Sequence, residues 1–185
     1  MDVIKNRTLS WALPLCTLML SSAAYAYTPR NVAGWDVGPM YDTDGSCIVE
    51  ISFEGKGGSQ LRLVLNPERG VYVILSNSYW SVAKGDDLRL SYHFSSGSYV
   101  DVKAKGIDAG EFVSLFDETV LSDFSKSAYL HVDRDDVPVD KLSLRGSAAA
   151  VSEAKRCVGS IRTESQNLLR EKKKFDHLPD DPFGK

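Results

Sequence analysis

The sequence has few of the residues and motifs that carry chemistry by themselves. Its 185 residues include only three cysteines and three histidines. There is no C-x-x-C pair, no G-x-S-x-G turn, no phosphate-binding P-loop and no H-E-x-x-H helix. The familiar motifs of thiol redox proteins, zinc knuckles, α/β-hydrolases, P-loop nucleotidases and zinc proteases are therefore excluded. We expect no cofactor.

Metal ligands are also scarce. The best candidate is His131 with Asp133 and Asp135, but aspartates in a turn before a proline are explained by turn chemistry alone. The sequence indicates no close pair of histidines. The fragment at residues 42–45 resembles the start of a calcium loop, yet it lacks the further spaced oxygen ligands and is interpreted as a turn. We expect no metal site.

The chain also has no excess of basic over acidic residues. Twenty-two lysines and arginines face 25 aspartates and glutamates, so the formal net charge is −3. A protein that covers nucleic acid needs a basic face, so no nucleic-acid partner is expected. The three lysines at 172–174 are interpreted as a solvated charge run rather than a site for an anionic surface.

No apolar run is long enough to cross a bilayer, which takes about 20 residues. The longest candidate, residues 11–20, follows Lys5 and Arg7 and precedes the small-residue motif Ala24-Tyr25-Ala26. This order is typical of a secretory signal peptide. We predict a cleaved signal over residues 1–26, no transmembrane anchor after cleavage, and a periplasmic or secreted protein.

Export changes the interpretation of the cysteines. Cleavage would leave Cys47 and Cys157, and two cysteines in an oxidising compartment are most simply joined in a disulfide. Two buried free thiols, a reactive cysteine and an intermolecular bridge are the alternatives. The predicted bond would close a long loop and tie an early strand to a late helix.

That late helix belongs to the stretch Leu142–Cys157. The pattern predicts a short strand, a turn at Gly146-Ser147, and a helix for which Ser147 is the N-cap. Apolar residues recur at helical spacing and predict a buried stripe: Ala150, Val151, Ala154, Cys157, Val158 and Ile161. The opposite, polar side is predicted to hold Glu153, Lys155 and Arg156.

Alternating apolar residues with Gly, Asn and Pro turns predict short, evenly spaced strands before this stretch. The predicted fold is α+β, an antiparallel β meander that forms a sandwich or a partly open barrel, with one or two helices packed against it. The single β-rich domain spans residues 27–162. Residues 163–185 are predicted to form a weakly helical to disordered charged tail.

Aromatic residues give the one positive indication of binding. Tyr79 and Trp80 lie in a turn-like segment, and Trp35 and Tyr41 lie near the predicted mature N-terminus. Exposed Tyr and Trp often anchor partners, although tryptophans in a small β domain more often fill the core. We favour core positions for the two tryptophans and keep Tyr79 and Trp80 as candidate binding residues.

The order of Trp35, Cys47 and the stretch Leu142–Cys157, most clearly LRGSAAA at residues 144–150, resembles small secreted proteobacterial proteins of the invasion-associated locus B group. The resemblance implies a bacterial envelope or secreted accessory protein and carries over no catalytic residue. Residues 96–99, Ser-Gly-Ser-Tyr, are similar to the SGxxY loop of periplasmic lysozyme inhibitors.

Two classes of function remain. The first is a non-enzymatic binding or accessory module whose partner is a protein or a glycan. The second is a hydrolase whose site is assembled from residues distant in sequence, and an inhibitor of a lytic enzyme is a further alternative. Because no spacing of nucleophile, base or metal ligand is evident, the sequence favours a binding protein over an enzyme.

Overall fold

The computed structural model describes residues 27–40 and 45–175. The predicted signal peptide, Tyr41, most of the turn at 42–45, and His177 lie outside these residues. The described chain forms ten strands and two helices, which are β1 Arg30–Val32, β2 Trp35–Pro39, β3 Cys47–Ser52, β4 Gln60–Asn66, β5 Gly70–Ser76, β6 Asp87–Phe94, β7 Gly97–Asp108, β8 Glu111–Phe116, α1 Val120–Lys126, β9 Tyr129–Arg134, β10 Val137–Ser143 and α2 Ser147–Phe175.

All ten described strands join one antiparallel sheet in the order β1-β2-β3-β4-β5-β8-β7-β6-β9-β10. The first five strands form the predicted meander, and β8 then pairs with β5. The sheet curls so that the loop before β4 meets β10, where Ser59 Oγ donates to Asp140 Oδ2 at 2.5 Å. The α+β prediction is confirmed, with one curled sheet rather than the two facing sheets of a sandwich.

The core fills the inside of the curl. Register places Leu63 opposite Val73, and Leu75 opposite Phe112, so apolar side chains from neighbouring strands meet on the same face. The alternation expected of half-buried strands is seen most clearly in β6 and at the start of β3, where buried and more exposed positions alternate. In β4 the three leucines are buried as expected, but Val64 between two of them is buried as well. Burial of these side chains is what selects the register.

Helix α2 packs on β2 and β3 and against α1. Its predicted stripe is confirmed: Ala150, Val151, Ala154 and Cys157 are buried. The helix continues without interruption beyond residue 162, after which the tail is predicted to begin, and its residues 165–171 are exposed. Neither of the two described helices combines the length and apolarity needed to span a membrane.

The predicted disulfide is confirmed. Cys47 and Cys157 are bonded, with their Cα atoms 6.2 Å apart and 110 residues between them in sequence. Both are fully buried, and Tyr27 packs on them together with part of α2. The bond therefore fixes the helix to the start of β3, beneath the N-terminal segment.

The prediction of Ser147 as an N-cap is wrong. Its hydroxyl donates to the carbonyl oxygen of Phe124 in α1 at 2.5 Å, and the Gly146 carbonyl accepts from Ala150 N–H at the start of α2. The last carbonyls of a helix have no helical donor, so Phe124 offers an acceptor where the two helices meet. Ser147 joins the helices instead of capping one of them.

The placement of Glu153 on the polar side of α2 is also wrong, since it is only 2% exposed. Its carboxylate accepts from the Tyr27 hydroxyl at 2.5 Å, and it forms ion pairs with Arg30, at 3.2 Å, and with Arg156. A carboxylate can be buried when cations and hydrogen-bond donors surround it. The donors come from residues 27–30, which the helical pattern could not foresee.

These contacts shift two pKa values. The Tyr27 hydrogen bond, together with the positive charges of Arg156 and Arg30, lowers the pKa of Glu153 below its ordinary value. Burial, followed by the hydrogen bond to Glu153, raises the pKa of Tyr27 to about 12. The cluster therefore favours an ionised glutamate and a neutral tyrosine.

Removal of the disulfide tests how much the fold depends on it. Replacing both cysteines (Cys47→Ala with Cys157→Ala) should lower the free energy of unfolding by about 2–5 kcal/mol, because the unfolded chain loses its cross-link. Urea unfolding of the oxidised protein and the double variant measures this difference. An unchanged midpoint would show that the helix is held without the bond.

The Tyr27–Glu153 contact predicts a pH dependence. A lowered glutamate pKa stabilises the fold above the ordinary value of 4.5, and this contribution is lost as the pH falls through the folded-state value. A raised tyrosine pKa stabilises it below 10.0, and this contribution is lost as the pH rises towards about 12. The difference in Tm between wild type and Tyr27→Phe should therefore be largest between about pH 4.5 and about pH 10, and it should become smaller at lower and at higher pH.

The control for this measurement is Tyr72→Phe, a half-buried tyrosine on β5. It should retain the wild-type dependence of Tm on pH. A constant difference between wild type and Tyr27→Phe across the whole pH range would contradict the proposed linkage.

Candidate functional site

A cleft of about 490 Å³ opens at the seam where the curled sheet meets its own edge. One wall comes from the loop between β3 and β4 and from the segment after β5, and the other from β9 and β10. We call it the aromatic cleft and define it by residues from both walls, namely Phe53, Lys56, Ser59, Asn77, Tyr79, Trp80, Tyr129, Asp140 and Lys141.

A chain of hydrogen bonds fixes the floor of the aromatic cleft. Asp140 Oδ2 accepts from Ser59 Oγ at 2.5 Å, and Ser59 Oγ accepts from Asn77 Nδ2 at 2.9 Å. The other carboxylate oxygen of Asp140 accepts from Lys141 N–H at 2.7 Å. Both Ser59 and Asn77 are buried, so these bonds hold the two walls at a set separation.

Asn77 also positions the exposed rim. Its side-chain amide donates to the Lys56 carbonyl at 3.0 Å, and its side-chain oxygen accepts from Tyr79 N–H at 2.9 Å. Gly57 lies beside it with φ +83°, and a Cβ atom there would be 1.8 Å from the Asn77 side-chain oxygen. Only glycine fits this approach, so the loop and the Tyr79 backbone are placed together.

Two tyrosines present their rings at the cleft. Tyr79 is 68% exposed and Tyr129 is 47% exposed. The ammonium of Lys56 lies 5.3 Å from the centre of the Tyr79 ring, and that of Lys141 lies 4.9 Å from the centre of the Tyr129 ring. Each wall therefore carries one aromatic ring and one cation in contact.

The other predicted aromatic residues divide between core and cleft. Trp35 is fully buried, as predicted, and its indole N–H donates to the Arg145 carbonyl at 2.9 Å. Trp80 is half-buried and stacks on Phe112, with ring centres 5.4 Å apart, while it also lines the cleft. The binding roles of Tyr79 and Trp80 remain a prediction, and the structure places both on one wall.

A second polar cluster lies on the outer face of the sheet. His93 contacts Ser98 Oγ through Nδ1 at 2.9 Å and Asp133 through Nε2 at 3.2 Å. The expectation that no two histidines are close is wrong, because His131 lies directly opposite His93 in the pairing of β6 with β9. Cross-strand register between segments far apart in sequence creates this pair, which spacing along the chain could not show.

This cluster has the side-chain types of a hydrolytic triad without its setting. His93 and Ser98 are cross-strand neighbours on an open hairpin, and neither lines the aromatic cleft. A nucleophile needs a bounded site that orients the substrate. Across residues 27–40 and 45–175, no group of His, Cys, Asp or Glu is arranged to hold a metal ion.

The loop at residues 96–99 is bound by α1. The Ser96 hydroxyl donates to Asp123 Oδ1 at 2.5 Å, and the Tyr99 hydroxyl donates to Asp123 Oδ2 at 2.6 Å. The hydrogen bond from Ser96, and then that from Tyr99, lowers the pKa of Asp123. The polar groups of this loop are therefore already used within the protein.

The comparisons with known proteins identify a similar fold. No family model and no curated protein matches the sequence. The crystal structure of invasion associated protein B from Bartonella henselae superposes with a TM-score of 0.53 at 12% identity, over 70% of this chain and 97% of that one. The resemblance inferred from Trp35, Cys47 and Leu142–Cys157 is thereby confirmed in the fold.

Gly57 offers a test of how the cleft is built. Gly57→Ala should lower the free energy of unfolding by about 1–3 kcal/mol, because its Cβ displaces Asn77 and its backbone angle is strained. The emission of Trp80 should change with it. Gly97→Ala, where a Cβ meets no atom within 4 Å, is the control and should change neither quantity.

Proposed function

We propose that this chain is an exported bacterial binding or accessory protein, without catalytic activity, that binds a protein or a glycan through the aromatic cleft. The observation that carries the proposal is the pair of exposed tyrosines, Tyr79 and Tyr129, held on opposite walls above a fixed polar floor. Exposed aromatic side chains on a rigid support lose little entropy on binding and are frequent anchors of recognition.

Several observations support export to the periplasm or the exterior. The disulfide between Cys47 and Cys157 suits an oxidising compartment, and the sequence predicts a signal over residues 1–26. The chain also shares its fold with invasion associated protein B from Bartonella henselae. An accessory role at the bacterial envelope is compatible with each of these.

The two alternatives receive less support. A hydrolase would draw on Ser98, His93 and Asp133, yet this group lies on the open face of the sheet, away from the cleft. An inhibitor of a lytic enzyme would use the loop at 96–99, whose Ser96 and Tyr99 hydroxyls are already held by Asp123. Binding through the cleft requires no such rearrangement.

Loss of the two rings should abolish binding without harming the fold. We expect the double variant Tyr79→Ala with Tyr129→Ala to bind isolated bacterial envelope at least about 10-fold more weakly than wild type, as for anchors at other interfaces. Sedimentation of the labelled protein with envelope fragments measures this. Since both rings are exposed, Tm should change little.

The matched control is Leu115→Ala, which removes an exposed apolar side chain on β8 outside the cleft. Its binding should equal that of wild type. Equal binding by wild type and the double tyrosine variant would exclude the aromatic cleft as the binding site.

A further inference from the structure

We infer that the ligand of the aromatic cleft is a polysaccharide that carries carboxylate groups, such as a uronic-acid polymer; this inference rests on the binding function proposed above. The cleft combines flat aromatic rings with cations on both walls, and its edge strand lacks two of the N–H donors that a pairing peptide would use. Each of these points narrows the class of ligand.

The first point is the charge of the rim. Lys56 and Lys141 contact tyrosine rings, and in the described part of the chain neither forms a salt bridge with a carboxylate. Asp140 lies between the walls, but both of its oxygens already accept hydrogen bonds from Ser59 and from the Lys141 backbone. Glu54 is the other acidic residue of the lining, so the two lysines and the two acids cancel in formal charge, and what favours an anionic ligand is the position of each lysine beside a ring.

Lys56 and Lys141 are both exposed, and each lies beside a tyrosine ring, so each can reach a ligand that packs on that ring. Lysine binds carboxylates by charge-assisted hydrogen bonds, and a partly enclosed cleft screens such contacts less than open solvent does. The rim is therefore suited to a ligand that brings negative charge to both walls.

The second point is the state of the edge strand. β10 is the last strand of the sheet, so it would be the place for an extended peptide to add a further strand. Pro138 has no N–H to offer, and the Lys141 N–H is already bonded to the Asp140 carboxylate. A peptide would find these two donors missing, which argues against pairing along this edge.

The third point is the shape of the rings. A tyrosine ring is a flat apolar surface with a polar tip, and the apolar face of a sugar ring can pack against it. Tyr79 and Tyr129 each have a cation beside the ring, so each wall can contact the face of one sugar and its carboxylate together. A ligand that reaches both walls has to be an oligosaccharide rather than a single sugar.

The test uses three polymers and the purified protein. Trp80 lines the cleft, so its fluorescence reports occupancy during titration with polygalacturonate, neutral dextran or polyglutamate. Polygalacturonate should bind, and its affinity should fall at least about 5-fold between about 50 mM and about 300 mM salt, because screening weakens contacts between charges. Dextran should bind at least about 10-fold more weakly.

Charge removal supplies the matched variants. Lys56→Gln with Lys141→Gln should weaken polygalacturonate binding at least about 10-fold. Lys84→Gln removes an exposed lysine from a turn outside the cleft and should leave binding unchanged. Equal affinity for dextran and polygalacturonate overturns the carboxylate requirement. Tighter binding of polyglutamate overturns the choice of a glycan and assigns the cleft to an acidic peptide.

The variants also separate this inference from the binding function itself. If the double tyrosine variant loses envelope binding while the double lysine variant keeps it, the cleft is a binding site and the anionic ligand is wrong. If neither pair of substitutions alters envelope binding, both the proposed function and this inference fail.

Discussion

The attachment of α2 to the start of the sheet is the constraint on which the rest of the structure depends. Covalent and ionic contacts coincide there, because the Cys47–Cys157 bond and the Glu153 carboxylate both lie beneath Tyr27. A small β domain with a long edge has limited core, and a cross-link that closes a long loop strengthens it. The chain runs from β10, the last strand, directly into α2, and α2 packs on β2 and β3 near the other edge of the sheet. The Trp35 indole also holds the Arg145 carbonyl in the connection between β10 and α2. Attachment of the helix therefore brings the two ends of the sheet towards each other and supports its curl.

The aromatic cleft follows from that curl. A sheet that closed fully would pair β10 with another strand and bury the seam. Here side chains make the connection instead, through Ser59, Asn77 and Asp140. These three residues leave a gap with a rigid floor, and the loops on either side supply rings and cations to its rim. The candidate site is thus a consequence of the same incomplete closure that shapes the sheet.

Patterns that depend on nearest neighbours could be predicted from the sequence, and contacts between distant segments could not. Alternation indicates the inward faces of β3 and β6, and the helical stripe places Cys157 in the core. Glu153 was misplaced because its burial depends on Tyr27 and Arg30, more than 120 residues away. Tyr79 was found as an exposed aromatic in a turn, whereas Tyr129 sits in a strand pattern that gives no sign of a cleft.

Protection of the sheet edge and the geometry of the aromatic cleft are linked at Asp140. An edge strand with free N–H groups invites pairing with another chain. Asp140 accepts the Lys141 N–H, and Pro138 lacks the donor, so the edge is blunted without a covering element. Two backbone donors of β10 are therefore unavailable to a pairing strand, whereas its side chains line the cleft. Under the proposed binding function, selection of a partner at this seam would depend on rings and charges, which favours a ligand recognised by its surface over one recognised by strand pairing.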